Sequence, residues 1–353
     1  MKILVVNSDR SGSEGEPINL GDAMLTDALA GALRREGHVV SVAEFGDSPR
    51  QGGQGRVPVS GVLSLLKAVR SADAVVVGGG TMLQDDGAAL GGLPRLVAVT
   101  SVCAWVARRP LAYFGVGCDP VSRFLPRTLL KVALWRRSAW PRDAASVDRC
   151  RELSRSAKVA LGADAFLLAE LDDGPAQSAR TGAILALASA EAADVSDDDI
   201  AAMTGRYGTV RFVAMSQSAP FDDRDAVRGL RGCETDPGVV HHWRVLADDV
   251  MKADVVVASR MHALYLGMSC GARLVAIGSK AKVRAFAQEF GIPLAPSVSA
   301  ASFLEPANAD EGALTEARAR AQGALTAMMS VLASQGGSGT FTNHHVDRWR
   351  RAG

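Results

Sequence analysis

The chain has 353 residues, 48% of them hydrophobic and 5% aromatic, with 39 Lys and Arg against 38 Asp and Glu. At roughly 150 residues per domain this suggests two domains with apolar material for a core in each, and it excludes a disordered, collagenous or disulfide-scaffold chain. A net charge of +1 gives no long-range steering toward nucleic acid or an anionic bilayer, so any bound anion is held by a few local cations.

Met1 to Asn7 holds one cation and then four apolar residues, short of the apolar stretch of about 7–15 residues in a secretory signal. Ile3–Val6 reads as a first strand. Asp22 is placed to cap a helix carrying Leu25, Leu29, Ala32 and Leu33 at helical spacing and ending near Gly37. Val39–Val42 is a second strand, and Ser48–Ser60 reads as a surface loop. Leu63–Arg70 is helical, Ala74–Val77 is a buried strand, and Gly78-Gly79-Gly80 breaks it. Leu96–Arg108 is a helix that meets Arg108-Arg109 well before the roughly 20 apolar residues of a membrane span. Leu111–Phe114 is a strand, Arg127–Arg136 a helix, and short strands near Ala139 and Val159–Leu161 complete a first α/β unit.

The turn-rich segment from Asp172 to Gly182 marks a boundary, giving units of 1–178 and 179–334 and a flexible linker with a basic tail at 335–353. The same grammar then restarts. Ala183–Ala188, Val210–Met215, Val255–Ala258 and Leu274–Ile277 read as strands. Asp197–Tyr207, Asp223–Arg231, Trp243–Lys252, Met261–Ser269, Lys282–Phe290 and Glu311–Ala333 read as helices. Alternation of this kind predicts parallel sheets covered by helices, here two Rossmann-like domains facing across a cleft, with ligands at the carboxyl ends of the strands. The five cysteines, Cys103, Cys118, Cys150, Cys233 and Cys270, form no Cys-x-x-Cys pair and read as reduced thiols, which points to the cytoplasm.

The densest chemical signal is Ser259-Arg260-Met261-His262-Ala263, at the turn from a hydrophobic strand into a helix. About twenty residues on, Leu274–Ile277 runs into Gly278-Ser279-Lys280-Ala281-Lys282 at a second such turn. Free backbone N–H groups, a guanidinium, an imidazole and a lysine at adjacent turns would grip a small anion. The other reading is equally open at this point: Arg260 and Lys282 as solvated cations, and His262 packed on its helix.

Ser259-Arg260-Met261-His262-Ala263, followed by Gly271-Ala272-Arg273-Leu274-Val275-Ala276-Ile277 and Lys282-Val283, resembles the C-terminal signature of the polysaccharide pyruvyl transferase family. Asn19-Leu20-Gly21-Asp22-Ala23-Met24-Leu25, Asp73 with Gly78-Gly79-Gly80-Thr81, Gly115-Val116-Gly117 with Pro120, Arg142-Asp143-Ala144-Ala145-Ser146 and Ala163-Asp164-Ala165-Phe166 resemble its earlier elements in the same order. The resemblance implies a glycosyltransferase-B-like fold and transfer of pyruvate from phosphoenolpyruvate, with no other cofactor, onto a sugar of a surface polysaccharide or its lipid-linked precursor. Arg142, Arg260, Met261 (through its backbone) and Lys282 would then handle phosphoenolpyruvate, Lys280 competing with Lys282, and His262 would be the general acid. A histidine in a helix first turn beside Arg260 is disfavoured as imidazolium, and a bound multiply charged anion would reverse that.

Asp22 reads first as a cap and second as a contact for an acceptor hydroxyl; Asp85, Asp86 and Asp164 are further acceptor candidates. Gly78-Gly79-Gly80 lacks the spacing of a dinucleotide fingerprint and reads as a turn bordering the cleft. His241-His242 and His344-His345 have no ligand-spaced partner, and no metal site is expected. Arg34-Arg35, Arg136-Arg137 and Trp349-Arg350-Arg351 read as solvated faces or, on a weaker reading, as contacts to anionic lipid at the inner face of the membrane. A nucleotide-sugar glycosyltransferase on the same architecture, its cations gripping a pyrophosphate, and a non-catalytic scaffold are the alternative functions.

Overall fold

Short aliphatic runs set the architecture, because a strand buried on both faces needs apolar residues on both, and such strands occur in helix-covered parallel sheets. A computed structural model describes residues 1–46, 48, 50, 55–88, 92–171, 179–188, 194–217, 222–227, 229–235, 238–278 and 280–336. The first sheet comprises β1 (Lys2–Val6), β2 (Arg10–Ser11), β3 (Val39–Gly46), β4 (Arg56–Pro58), β5 (Ala74–Gly78), β6 (Leu111–Phe114), β7 (Ser138–Trp140) and β8 (Lys158–Val159). Its order is β2-β3-β1-β5-β6-β7-β8, with β4 also on β3, and every pairing is parallel.

The second sheet comprises β9 (Ala183–Ala186), β10 (Val210–Phe212), β11 (Cys233–Thr235), β12 (Val255–Ala258), β13 (Arg273–Ile277) and β14 (Leu294–Ala295), again all parallel, in the order β11-β10-β9-β12-β13-β14. This is the doubly wound order, whose direction reverses between β9 and β12; the first sheet reverses between β1 and β5. The fold expected from the sequence is the fold observed, and the two reversal points face each other.

The helices are α1 (Leu20–Arg35), α2 (Val62–Ser71), α3 (Gly92–Val106), α4 (Phe124–Leu134), α5 (Ala144–Leu153), α6 (Asp197–Tyr207), α7 (Trp243–Lys252), α8 (Met261–Ser269), α9 (Ala281–Glu289), α10 (Val298–Ala301) and α11 (Glu311–Gly336). None is long and apolar enough to cross a membrane among the described residues. At α6 the boundary coincides with expectation: Ser196 and Asp199 form a reciprocal capping box at its start.

Several features differ from the sequence reading, among them the short elements β2, β14 and α10, which it did not contain. The helix expected over Asp223–Arg231 is a 3-10 turn, Asp223–Ala226, followed by β11; Gly229 and Gly232 take positive φ, which ends helical continuation. The loop expected over Ser48–Ser60 contains β4. The helix α5 was not anticipated; Asp143 caps it by accepting the Ser146 N–H at 2.7 Å. Finally, α11, expected within the second unit, lies on β6, β7 and the 3-10 turn Ala165–Leu168 of the first.

That return is driven by burial: Ala321, Leu325, Met328 and Leu332 lose all their exposure, each large side chain stabilising by roughly 1.5–3 kcal/mol. Arg320 and Gln322 add bonds from α11 to the Gly162 carbonyl and the Glu36 carboxylate. At the cleft, Leu20 N–H donates to the Met215 carbonyl and Gln217 N–H to the Ile18 carbonyl, so the entry to α1 is stitched to the second unit. Residues 172–178 of the expected boundary segment Asp172–Gly182, and the tail 337–353 with His344-His345, lie outside the described residues.

Candidate active site

At the end of β12 the chain turns sharply, and Ser259 fixes the turn by accepting the Ala188 N–H at 2.9 Å. Arg260 occupies the cap position of α8 and His262 its first turn. The Arg260 guanidinium is gripped from two sides: Nε donates to Asp223 Oδ2 at 3.0 Å, and Nη2 donates to Asp223 Oδ1. Asp223, fully buried, also accepts the N–H groups of Met215 and Ser216 at 3.2 and 2.9 Å. A charge-assisted fork of this kind fixes direction as well as charge. Nothing local in the sequence joins Asp223 to a residue 37 positions away, and sequence reasoning missed it.

The next strand, β13, leads to α9, with Lys280 at its cap position and Lys282 in its first turn. Both lysines line the same cavity as Arg260 and His262. Lys282 lies in the field of Arg142 and Arg260, and burial first, then Arg142, pulls its pKa down.

The first unit supplies the facing wall. Asn19, not Asp22, caps α1: its Oδ1 accepts the N–H groups of Gly21 and Asp22 at 2.8 and 3.3 Å. Asp22 is thereby released to face the cavity. Burial pushes its carboxyl up to about 6, aided by Asp9, while Ser8, Lys282 and Arg142 pull the other way. The glycine turn makes this approach possible: Gly79 and Gly80 take φ of 78° and 68°, and a Cβ on Gly79 would stand 2.8 Å from Leu25 Cβ.

Arg142, directly after β7, is nearly buried; its Nη2 donates to Thr81 Oγ1 at 3.2 Å, and its guanidinium lies 3.4 Å from Asp143 and 3.7 Å from Asp164. Gly117 leaves room for it, since a Cβ there would sit 2.9 Å from Nη2.

These walls enclose about 200 Å³ lined by Asp22, Arg142, Arg260, Met261, His262, Lys280 and Lys282. That is below the roughly 300–1,000 Å³ of drug-sized ligand sites and suits a small, highly charged molecule. Beneath it, Arg142 Nη1, Asp164 Oδ2 and His262 Nε2 are buried without a hydrogen-bond partner. Asp164 Oδ2 lies 3.7 Å from the first and 4.0 Å from the last.

Burial, then Arg142, Lys282 and Arg260, drives His262 down to about 3, so the imidazole is neutral in the free protein. Burial raises Asp164 while Arg142 opposes it. An anion entering among three cations would oppose the Coulombic part of that suppression, though not the burial that is its larger cause, and Asp164 would support a charged ring from behind.

Of the candidates named from sequence, Arg142, Arg260, Met261, His262, Lys282 and Asp22 come together. Asp164 stands behind His262 rather than in the acceptor space. Asp85 does not line the cavity: Arg123 and the Gly87 N–H occupy its carboxylate, which lowers its pKa. Asp86 accepts the N–H groups of Ala88 and Leu93, at 3.2 and 2.7 Å, in the same loop. His242 caps α7, its Nδ1 accepting the Arg244 N–H at 3.2 Å.

Residues 19–280 match the family model described as Polysaccharide pyruvyl transferase. Comparison with curated proteins gives no match. Among solved structures, UDP-N-acetylglucosamine 2-epimerase from Rickettsia bellii superposes with a TM-score of 0.55 at 9% identity, covering 95% of this chain and 97% of that one. UDP-GlcNAc 2-epimerase from Methanocaldococcus jannaschii gives 0.53 at 12% identity, covering 90% and 91%. Arabidopsis thaliana UGT89C1, solved with UDP, gives 0.52 at 10% identity, covering 95% and 99%. These likenesses establish the glycosyltransferase-B-like arrangement of the two domains.

Proposed function

The chain belongs to the polysaccharide pyruvyl transferase family, and on that premise we propose that it moves pyruvate from phosphoenolpyruvate onto two hydroxyls of one sugar, forming a ketal. The observation that carries this reading is the cavity itself, small and walled by Arg142, Arg260 and Lys282 around His262. Phosphoenolpyruvate brings a carboxylate and a phosphate, and Arg142, Arg260 and Lys282 present donors of the opposite charge to it.

The residues divide the chemistry. His262, charged once the anion is bound, donates its proton to the enol carbon, and the cationic centre left at the neighbouring carbon is attacked by a sugar hydroxyl. Departure of phosphate regenerates that centre for the second hydroxyl. Two hydroxyl protons are released; one restores His262 and the other leaves with phosphate. The cation wall holds the leaving phosphate throughout. Asp22, on the facing wall with a carboxyl near neutrality, is positioned to accept a hydroxyl proton.

The test is phosphate release from phosphoenolpyruvate against a panel of glycosides, with product mass. The expected product is heavier than the glycoside by pyruvate less water. His262→Ala is expected to retain phosphoenolpyruvate binding and to lose turnover by roughly 10²–10⁴-fold. Thermal stabilisation by UDP-sugars and not by phosphoenolpyruvate would replace this reading with glycosyl transfer, and binding without any turnover would favour a scaffold.

A further inference from the structure

Two neighbouring helices of the first unit depart from the charge balance of the rest. From Gly92 to Arg109 and from Arg123 to Arg137 the chain carries eight Arg and Lys and no Asp or Glu, against a net charge of +1 overall. These segments are α3 and α4 with their C-terminal junctions, and the two helices lie side by side. Their outer faces are apolar as well as basic. Trp105 is 66% exposed, Trp135 53% and Phe124 84%, with Val102, Val106 and Val132 among them. On α4, Phe124, Thr128, Val132 and Trp135 fall at helical spacing on one face, with Lys131 beside them.

Some of the cations are already used. Arg123 pairs with Asp85, Arg109 donates to the Arg70 carbonyl and Arg137 to the Ser101 carbonyl. Arg127 lines a depression together with Asp148 and Glu152 of α5. Arg108, Lys131 and Arg136 remain exposed on the apolar face, the Arg136 guanidinium lying 5.0 Å above the Trp135 ring. Cations at helix C-termini complement the helix dipole, but that does not account for two indoles and a phenyl ring in water. Self-association through a two-fold axis would set Arg108, Lys131 and Arg136 of each copy against a like-charged face. An anionic bilayer satisfies both halves of the surface: headgroup phosphates take the cations, and the indoles take the interfacial depth where an apolar ring with one N–H is most stable.

We propose that the α3–α4 face docks on an anionic phospholipid surface. At one end it borders the cavity, because Phe124 follows Arg123, and the Arg123 partner Asp85 follows the cavity residue Gln84. At the other end Gln335 of α11 shares a depression with Trp105 and Arg108, and the sequence beyond carries Arg348, Trp349, Arg350 and Arg351. Presentation of a lipid-linked acceptor to the cavity by this docking rests on the pyruvyl-transfer reading above; the docking itself does not.

The full chain is sedimented with vesicles of phosphatidylcholine alone and of equal parts phosphatidylcholine and phosphatidylglycerol. Partition into the mixed vesicles, weakened by salt, is expected, with none into the neutral ones. The Arg108→Gln, Arg136→Gln pair is expected to weaken partition by roughly thirtyfold, the loss expected for two basic side chains near an anionic surface. Trp105→Ser with Trp135→Ser is expected to weaken it further and to reduce the blue shift of tryptophan emission. All four residues lie outside the cavity, so phosphate release with a water-soluble glycoside is expected to stay unchanged in both variants. That readout separates failure of docking from failure of the reaction assignment. Absence of partition, partition indifferent to both variants, or a concentration-dependent dimer abolished by the tryptophan pair would each overturn the proposal.

Discussion

Both walls of the cavity direct the first turn of a helix into the cleft, and the two helix turns carry opposite charge. The second unit uses this arrangement to present Arg260, His262 and Lys282. The first uses it at α1 to present Gly21 and Asp22. The cationic wall is anchored by a buried acid, Asp223, which also accepts the backbone N–H groups of Met215 and Ser216. The acidic wall is poised by desolvation, which leaves Asp22 near the point of changing charge. A helix N-terminus therefore fixes position, and neighbours from distant sequence decide what the positioned group can do.

The contrast is broken most severely where the walls touch. A Cβ on Gly21 would overlap His262 Nδ1 and lies 3.1 Å from Asn19 Oδ1. Gly21→Ala should displace the imidazole and lower kcat by about 100-fold with little change in fold; steady-state kinetics beside circular dichroism checks this.

Removing the anchor of the cationic wall comes next. Asp223→Ala leaves Arg260 without its carboxylate and strips an acceptor from two N–H groups, so stability should fall by about 2 to 3 kcal/mol. That is below the usual range for a buried pair because Arg260 keeps some water. The affinity for phosphoenolpyruvate should fall with it; denaturant titration and calorimetry read the two effects, and Asp223→Asn should recover part of both.

The smallest effect sharpens the acidic wall. Asp22 titrates near 6 in the folded protein against 3.8 unfolded, so the folded state holds more protons in that window and stability falls as pH rises through it. His262, at about 3 folded against 6.5 unfolded, has the opposite slope, losing stability as pH falls. Asp22→Asn should leave the protein more stable than the parent above pH 6, by about 1 to 3 kcal/mol, and no different below about pH 4. Melting temperatures across pH measure this, and a variant equal to the parent at neutral pH would mean that Asp22 is better solvated than its setting implies.

Part of the site was legible because Arg260-Met261-His262 and the lysines after β13 sit at strand exits, where ligands of parallel sheets bind; Arg142 and the choice of Lys282 came from the family resemblance. Asp85 shows the limit of that rule. It follows a strand exit too, yet Arg123 claims its carboxylate, and which cation reaches which acid depends on loop paths that no local pattern records. The role of Asp22 was misread for a related reason. Asn19 and Asp22 are both capping residue types three positions apart, and the pairing of Asn19 with Ser216 across the cleft selects the first.

By itself the sequence determined the elements and their alternation, because hydrophobic period and caps act within a few residues: α6, α7, α8 and β12 have the limits their patterns indicate. Tertiary structure alone decided the return of α11 to the first sheet, the Asp223–Arg260 fork, and the burial and the Arg142 and Lys282 charges that deepen the suppression of His262 already expected from Arg260. Each arises from burial or charge brought in from far along the chain. Burial and Coulomb energy depend on distance in space, and sequence specifies that distance only after the chain has folded.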